Sequence, residues 1–254
     1  MPARKNRLNE IRQNKHGVSM KIIKDTNYDD IYVKFLDDYG AIVHTQYDSF
    51  KKGTVTNPYY PSVYGVGYLG QGKYVAVVNR KMTKEYSYWK AMMQRCYCKS
   101  MIQHTLAYED VVVCEEWHNF QNFAKWFNEN YYEVGTEKMC LDKDIIGKHK
   151  HIYSPETCIF VPKKINGIFV FRASSYTDLP VGVYYDDTKD RYVAQCGSDT
   201  KTKRIGQSDS PHKAFLMYKE AKENKIKELA QQYKSKIPKY IFDILMAYEV
   251  DEYY

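Results

Sequence analysis

Apolar residues in this 254-residue chain follow two different periods, and the switch between them at Thr83 limits the folds open to it. Before Thr83 the period is two. Ile31, Val33 and Phe35 alternate with polar residues, 37–40 reads as a turn, 41–47 as a returning strand, and Lys51-Lys52-Gly53 as the next reversal. After Thr83 the period is helical. Trp89, Met92, Met93, Cys96 and Tyr97 predict an amphipathic helix over about 84–99, and Phe120, Phe123, Trp126 and Phe127 share one face of a second. Strands and helices held in separate stretches predict an α+β chain with a small N-terminal β module.

Further on, residues 139–167 read as two short strands around a polar loop, with Pro162 at the first position of a helix through Asn166. A linker over 174–180 leads to three candidate strands at 181–185, 191–196 and 203–206. Ser210 and Pro211 are N-cap and N1 residues for a helix whose apolar face is Ala214, Phe215, Tyr218, Ala221 and Ile226. This predicts a three-stranded antiparallel sheet packed on a helix. Pro238 breaks that helix, and 240–248 reads as a last one before an acidic end. The expected organisation is a basic tail at 1–18, a β-rich module at 19–80, a central region at 81–173, a sheet-and-helix module at 180–234 and a C-terminal helix at 235–254.

Lys and Arg exceed Asp and Glu by 38 to 31, a formal net charge of +7 that suits a polyanionic partner. Tyrosines number 26 against 10 Phe and 3 Trp. Such a surface can stack on bases, and a coding bias that replaces Phe and Leu by Tyr gives the same composition. No run approaches the ~18 apolar residues of a membrane span, and the basic start lacks an apolar signal core. We therefore expect no membrane partner, a cytoplasmic location and six reduced cysteines. Gly65-Val-Gly67-Tyr-Leu-Gly70 matches a dinucleotide fingerprint by letters, but residues 73–78 read as a strand where the fingerprint needs a helix. A glycine-rich turn is the better reading.

The chemistry-bearing stretch is 139–166. Its hairpin-then-helix pattern can bring Asp142 and Asn166 together as oxygen ligands of a hard cation. Lys143, Lys148, Lys150, Lys163 and Lys164 around them suit phosphate. Solvated turn charges on an ordinary hairpin would leave the same spacing.

Residues 86–171 resemble the HNH endonucleases of bacteriophages, including homing-type enzymes. The matching residues are Trp89-Lys-Ala-Met-Met-Gln-Arg-Cys-Tyr97, Val113-Cys-Glu-Glu-Trp117 with Phe120, Phe123 and Trp126, then Leu141-Asp-Lys-Asp144, Tyr153-Ser-Pro-Glu-Thr-Cys158 and Phe160-Val-Pro162. The resemblance implies a ββα-metal fold with flanking helices, holding one Mg²⁺ or Mn²⁺ beside the DNA backbone. It implies Asp142 and Asn166 as metal ligands. Two positions depart from the family. Lys143 stands where its general-base histidine would be, and Thr157 stands where an asparagine orders the loop. Lysine is a poor base unless its pKa falls far. The candidate catalytic set is thus Asp142, Lys143 and Asp144, with His149 or His151 as a replacement base.

Residues 181–232 resemble the plant ethylene-response-factor (apetala-two) DNA-binding domain, through Val181-Gly-Val-Tyr-Tyr-Asp186, 191–195, 203–206, Ser210-Pro211, Ala214, Phe215 and Tyr218. That resemblance implies a three-stranded sheet in the major groove. Lys189, Arg191, Gln195, Lys203 and Arg204 would be the contacts there; Lys163 and Lys164 of the central region are separate DNA-binding candidates. Alternation places Arg191, Val193 and Gln195 on one face of their strand and Tyr192, Ala194 and Cys196 on the other. The expectation is a monomeric, phage-encoded, metal-dependent DNA endonuclease acting on double-stranded DNA in the bacterial cytoplasm. The alternative is a catalytically silent descendant that binds DNA or a protein as a regulator or inhibitor.

Overall fold

The alternation over 31–35 places Ile31, Val33 and Phe35 on one side of a strand. In the computed structural model, which describes residues 6–102, 110–148, 150–169, 179–197 and 202–252, all three are fully buried. The fold is α+β, and the chain divides into two compact units, Met1–Glu129 and Asn130–Tyr254.

In the first unit β1 (Ile11–Gln13), β2 (Ser19–Asn27), β3 (Asp30–Phe35) and β4 (Ile42–Thr45) form an antiparallel sheet in sequence order. The short helix α1 (Tyr47–Lys51) adds Phe50 to a core with Met20, Ile22, Ile31, Val33 and Phe35. Part of the expected basic tail is thus a strand. All three β1 residues are exposed, so no hydrophobic pattern announces it. Backbone bonds to β2 hold it, and the Arg7 guanidinium pairs with Asp25 at 3.4 Å.

A hairpin of β5 (Val77–Val78) and β6 (Lys81–Met82) leads into α2 (Lys84–Tyr97), which Thr83 caps by accepting the Tyr86 N–H. Then come α3 (Lys99–Ile102), β7 (Val112–Val113) and α4 (Phe120–Asn130). The Trp89 indole of α2 donates to the Trp117 carbonyl at 2.7 Å and lies 5.5 Å from the Phe120 ring. The glycine run crosses this cluster. A Cβ on Gly67 would come within 2.8 Å of the Trp89 ring, and Gly65 and Gly70 take positive φ. The run is a loop with no helix after it, so no helix N-terminus meets it as a phosphate site requires.

In the second unit β8 (Met139–Asp142) pairs antiparallel with β10 (Ile159–Pro162), joined through α5 (Asp144–Gly147) and β9 (Ile152–Tyr153). Helix α6 (Lys163–Asn166) follows Pro162 directly and packs back on both strands. The strands β11 (Val183–Asp186), β12 (Arg191–Gly197) and β13 (Thr202–Ser208) form an antiparallel sheet in that order. They pack on α7 (Pro211–Tyr233), whose N-cap Ser210 accepts the Lys213 N–H. Helix α8 (Lys239–Met246) lies against α7 and ends before Tyr248.

From 247 the chain runs on without helix and threads through the unit. Tyr248 and Val250 are buried, and the Tyr248 ring meets Phe169 edge-on at 4.8 Å. Val250 donates its N–H to Glu223 at 3.0 Å and accepts from Lys219 Nζ at 2.9 Å. The Glu252 carbonyl accepts the Val181 N–H, and its carboxylate pairs with His212. All six cysteines are thiols. Among the described residues no helix is long and apolar enough to cross a membrane.

Candidate metal and nucleic-acid site

Asp142 ends β8, and the chain turns at once into α5. Its Oδ1 accepts the N–H of Asp144 at 2.9 Å and of Ile145 at 2.8 Å, so the carboxylate closes the first turn of that helix. Burial is the main influence on its acidity. Together with the nearby Asp144 charge, it pushes the carboxyl up to about 6, against the pull of the two N–H donors and Lys143. Oδ2 carries none of those bonds.

Lys143 does not reach outward. Its side chain is buried and its ammonium pairs with Asp144, 6.0 Å from the centroid of the Tyr153 ring. The phosphate contact expected of it is therefore not what the fold sets up. Lys148, in a positive-φ conformation, is likewise engaged. Its Nζ lies 3.2 Å from Asp251 Oδ2 and 5.6 Å from the Tyr248 ring centroid. Burial first, then the negative charges of Asp251, Asp142 and Asp144, push the Tyr248 hydroxyl up to about 12, so residues 248–251 lie beside the Asp142 turn. Sequence reasoning missed this neighbour. The acidic end was visible, but nothing in its spacing tied it to a loop a hundred residues earlier.

Thr157 orders its loop with a hydroxyl. Its Oγ1 donates to the Ile152 carbonyl at 2.7 Å and accepts the Ser154 N–H at 3.0 Å. The end of α5 packs on it, since a Cβ on Gly147 would sit 3.1 Å from the Thr157 Cβ.

Asn166 is half-buried on α6, the helix packed against β8, and its side-chain amide has no hydrogen-bond partner among the described residues. Lys163 and Lys164 on the same turn are exposed. His151 is exposed in the loop before β9, and His149 lies outside the described residues. No group of three or more His, Cys, Asp or Glu gathers as a metal cage among the described residues. Among those residues, the side-chain oxygens left without a hydrogen bond on β8 and α6 are Asp142 Oδ2 and the Asn166 amide oxygen. Oxygen donors of this kind are the ones a hard cation takes.

On the C-terminal sheet, a Cβ on Gly206 would strike Met217 of α7, so the face carrying Gly206 and its register partner Ala194 meets the helix. The opposite face carries Arg191 and Gln195 of β12 on either side of the fully buried Val193, and Arg204 of β13 opposite Gln195 across a register shift, with the Arg204 guanidinium hydrogen-bonded to Gln207. Lys203 opposes Cys196 and so belongs to the other face. Lys189, in the β11–β12 turn, pairs with Asp186 at 3.4 Å. Three of the five expected sheet contacts therefore share one surface.

Compared with protein-family models, with curated proteins and with solved structures, the chain matches none.

Proposed function

We propose that this chain is an HNH-like, divalent-metal-dependent DNA endonuclease of phage type, which binds duplex DNA through the outer face of the β11–β13 sheet. The observation that carries the reading is Asp142. It is a buried carboxylate with a raised pKa, one oxygen holding a helix start and the other uncommitted, on a hairpin whose following helix bears Asn166 and two exposed lysines. Asp142 and Asn166 would hold Mg²⁺ or Mn²⁺, which when bound acidifies a water and neutralises charge on the scissile phosphate. Cationic neighbours would also lower the cost of keeping Asp142 ionised in its buried site. Lys163 and Lys164 would draw in the phosphates, and His151 or His149 would take the proton from the attacking water. We place this activity in the bacterial cytoplasm, with the protein acting as a monomer. The test is purified protein with supercoiled DNA and Mn²⁺. Nicked or linear product that disappears with Asp142→Ala supports the reading, and unchanged DNA with wild type removes it.

A second reading has its own observation. Lys143 follows Asp142 where a base would stand, and its ammonium is committed to Asp144. A catalytically silent DNA- or protein-binding regulator needs no base there. That reading expects salt-sensitive DNA retention without turnover, unaffected by Asp142→Ala.

A further inference from the structure

The β5–β6 hairpin carries apolar side chains left uncovered by the described residues. Val77, Val78 and Met82 on the ribbon and Val75 just before it are each between 50 and 54 % exposed. Isolated exposed apolar residues are ordinary, but three on one short two-stranded ribbon with Val75 at its root make a surface.

The charges of the hairpin and its flanks are one-sided. From Lys73 to Lys84 the sequence contains no Asp or Glu and four cations: Lys73, Arg80, Lys81 and Lys84. Among the described residues Lys73, Arg80 and Lys81 have no ion-pair partner, and all three are exposed.

The hairpin is also held firmly. Asn79 and Arg80 at its tip both take left-handed conformations, with φ of 49° and 63°, as the favoured two-residue hairpin turn requires. At its root Thr83 donates its hydroxyl to the Val75 carbonyl at 2.9 Å and its N–H to the Ala76 carbonyl at 3.0 Å. The Gln121 side chain clamps the backbone of Tyr74 from both sides, accepting its N–H at 3.0 Å and donating to its carbonyl at 2.9 Å.

We infer that this hairpin is a duplex-DNA arm: Arg80 leads into the minor groove, Val77, Val78 and Met82 wedge against the sugars and a base step, and Lys73 and Lys81 take flanking phosphates. The order of side chains decides among anionic partners. A bilayer would have to receive the polar Asn79–Arg80 tip first and deepest. In the minor groove a leading arginine meets the most negative potential, and apolar side chains behind it open the base stack. The arm would be a contact additional to the sheet and to the Asp142 centre. It rests on duplex binding, not on cleavage.

The test uses the full chain, a fluorescent 30-base-pair duplex and the same duplex end-labelled for energy transfer. Two variants are compared with wild type: Val77→Ser with Val78→Ser, and Arg80→Ala with Lys81→Ala. All four positions are exposed, so both variants should melt as wild type does. The serine pair should weaken binding by about tenfold and abolish duplex bending while leaving the salt dependence unchanged. The alanine pair should reduce the slope of log affinity against log salt by about 2. A minor-groove ligand such as netropsin should displace the wild type. Wild-type binding and bending by the serine pair overturn the arm, as does preferential binding to phosphatidylserine vesicles or to structured RNA that the serine pair abolishes. Should Arg191→Ala with Arg204→Ala abolish binding while both hairpin variants bind normally, the arm fails and the sheet reading stands. Loss of bending in a protein that never cuts DNA upholds the arm and leaves the nuclease reading to fail alone. A wild type that binds no duplex removes both.

Discussion

Asp142 Oδ1 accepts the Ile145 N–H at 2.8 Å, so the carboxylate proposed to hold a metal also starts the helix that follows it. The two roles pull in opposite directions, because hydrogen bonding to α5 requires only an oxygen, whereas a cation requires the charge.

That conflict has a pH signature. The Asp142 carboxyl lies at about 6 in the fold against an ordinary value of 3.8, so the native state holds its proton more tightly than the unfolded chain. The resulting stabilisation is complete below pH 4 and is lost as pH rises through 6. The ionised form costs about 3 kcal/mol at pH 7. Asp142→Asn keeps an acceptor for Asp144 and Ile145 without the charge. It should raise the thermal midpoint of the second unit at pH 7.5, flatten its pH dependence between 4 and 7, and abolish any cation-dependent cleavage. Thermal melts across that pH range, with and without Mn²⁺, and a cleavage assay measure all three. A variant that melts lower at pH 7.5 would show that burial does not govern this carboxylate.

Arg191 and Arg204 share the outer face of the C-terminal sheet, and α7 packs on the other. Replacing either by Ala should leave stability within about 0.5 kcal/mol and lower the salt slope of duplex binding by about 1. Lys203, across the sheet, should have a smaller effect than Arg204. Anisotropy titrations at three salt concentrations rank the three positions.

Gly182 takes φ +75° and faces the Tyr218 ring, where an added Cβ would lie 2.3 Å from a ring carbon. Left-handed strain and overpacking then act together. Gly182→Ala should destabilise the second unit by roughly 2–4 kcal/mol, read by urea unfolding, and should weaken duplex binding only where unfolding has begun.

The two buried tryptophans of the first unit should respond differently to the same change. Trp89 donates to the Trp117 carbonyl at 2.7 Å, whereas the Trp117 indole N–H has no hydrogen-bond partner among the described residues. Trp89→Phe loses a buried bond, and Trp117→Phe removes a donor that makes none. The first should cost about 1–2 kcal/mol more than the second, measured by chemical denaturation of the two variants side by side.

Elements with a local signature were readable in the sequence. The helical period from Thr83 yields α2, Ser210-Pro211 marks the start of α7, and the 139–166 pattern forms two paired strands with a helix packed on them. Asp142 and Asn166 accordingly lie on elements packed against each other. Orientation was less accessible. Alternation grouped Arg191 with Gln195 but could not say which face meets α7, because contact with Met217 decides that. The inward turn of Lys143 toward Asp144 depends on how the chain leaves β8, which no periodicity encodes. β1 stayed hidden because its three residues are all exposed and backbone pairing alone holds it. The contact between Lys148 and Asp251 spans a separation that no local pattern reports.

The segment at 247–252 has a consequence for synthesis. Tyr248, Val250 and Glu252 join the 148 loop, the start of β11 and the flank of α7, yet they are translated after every partner they touch. Domains generally fold as units during synthesis, at about 5–20 residues per second. Here the hairpin, sheet and helices can complete their native packing only after residues 248–252 have been synthesised.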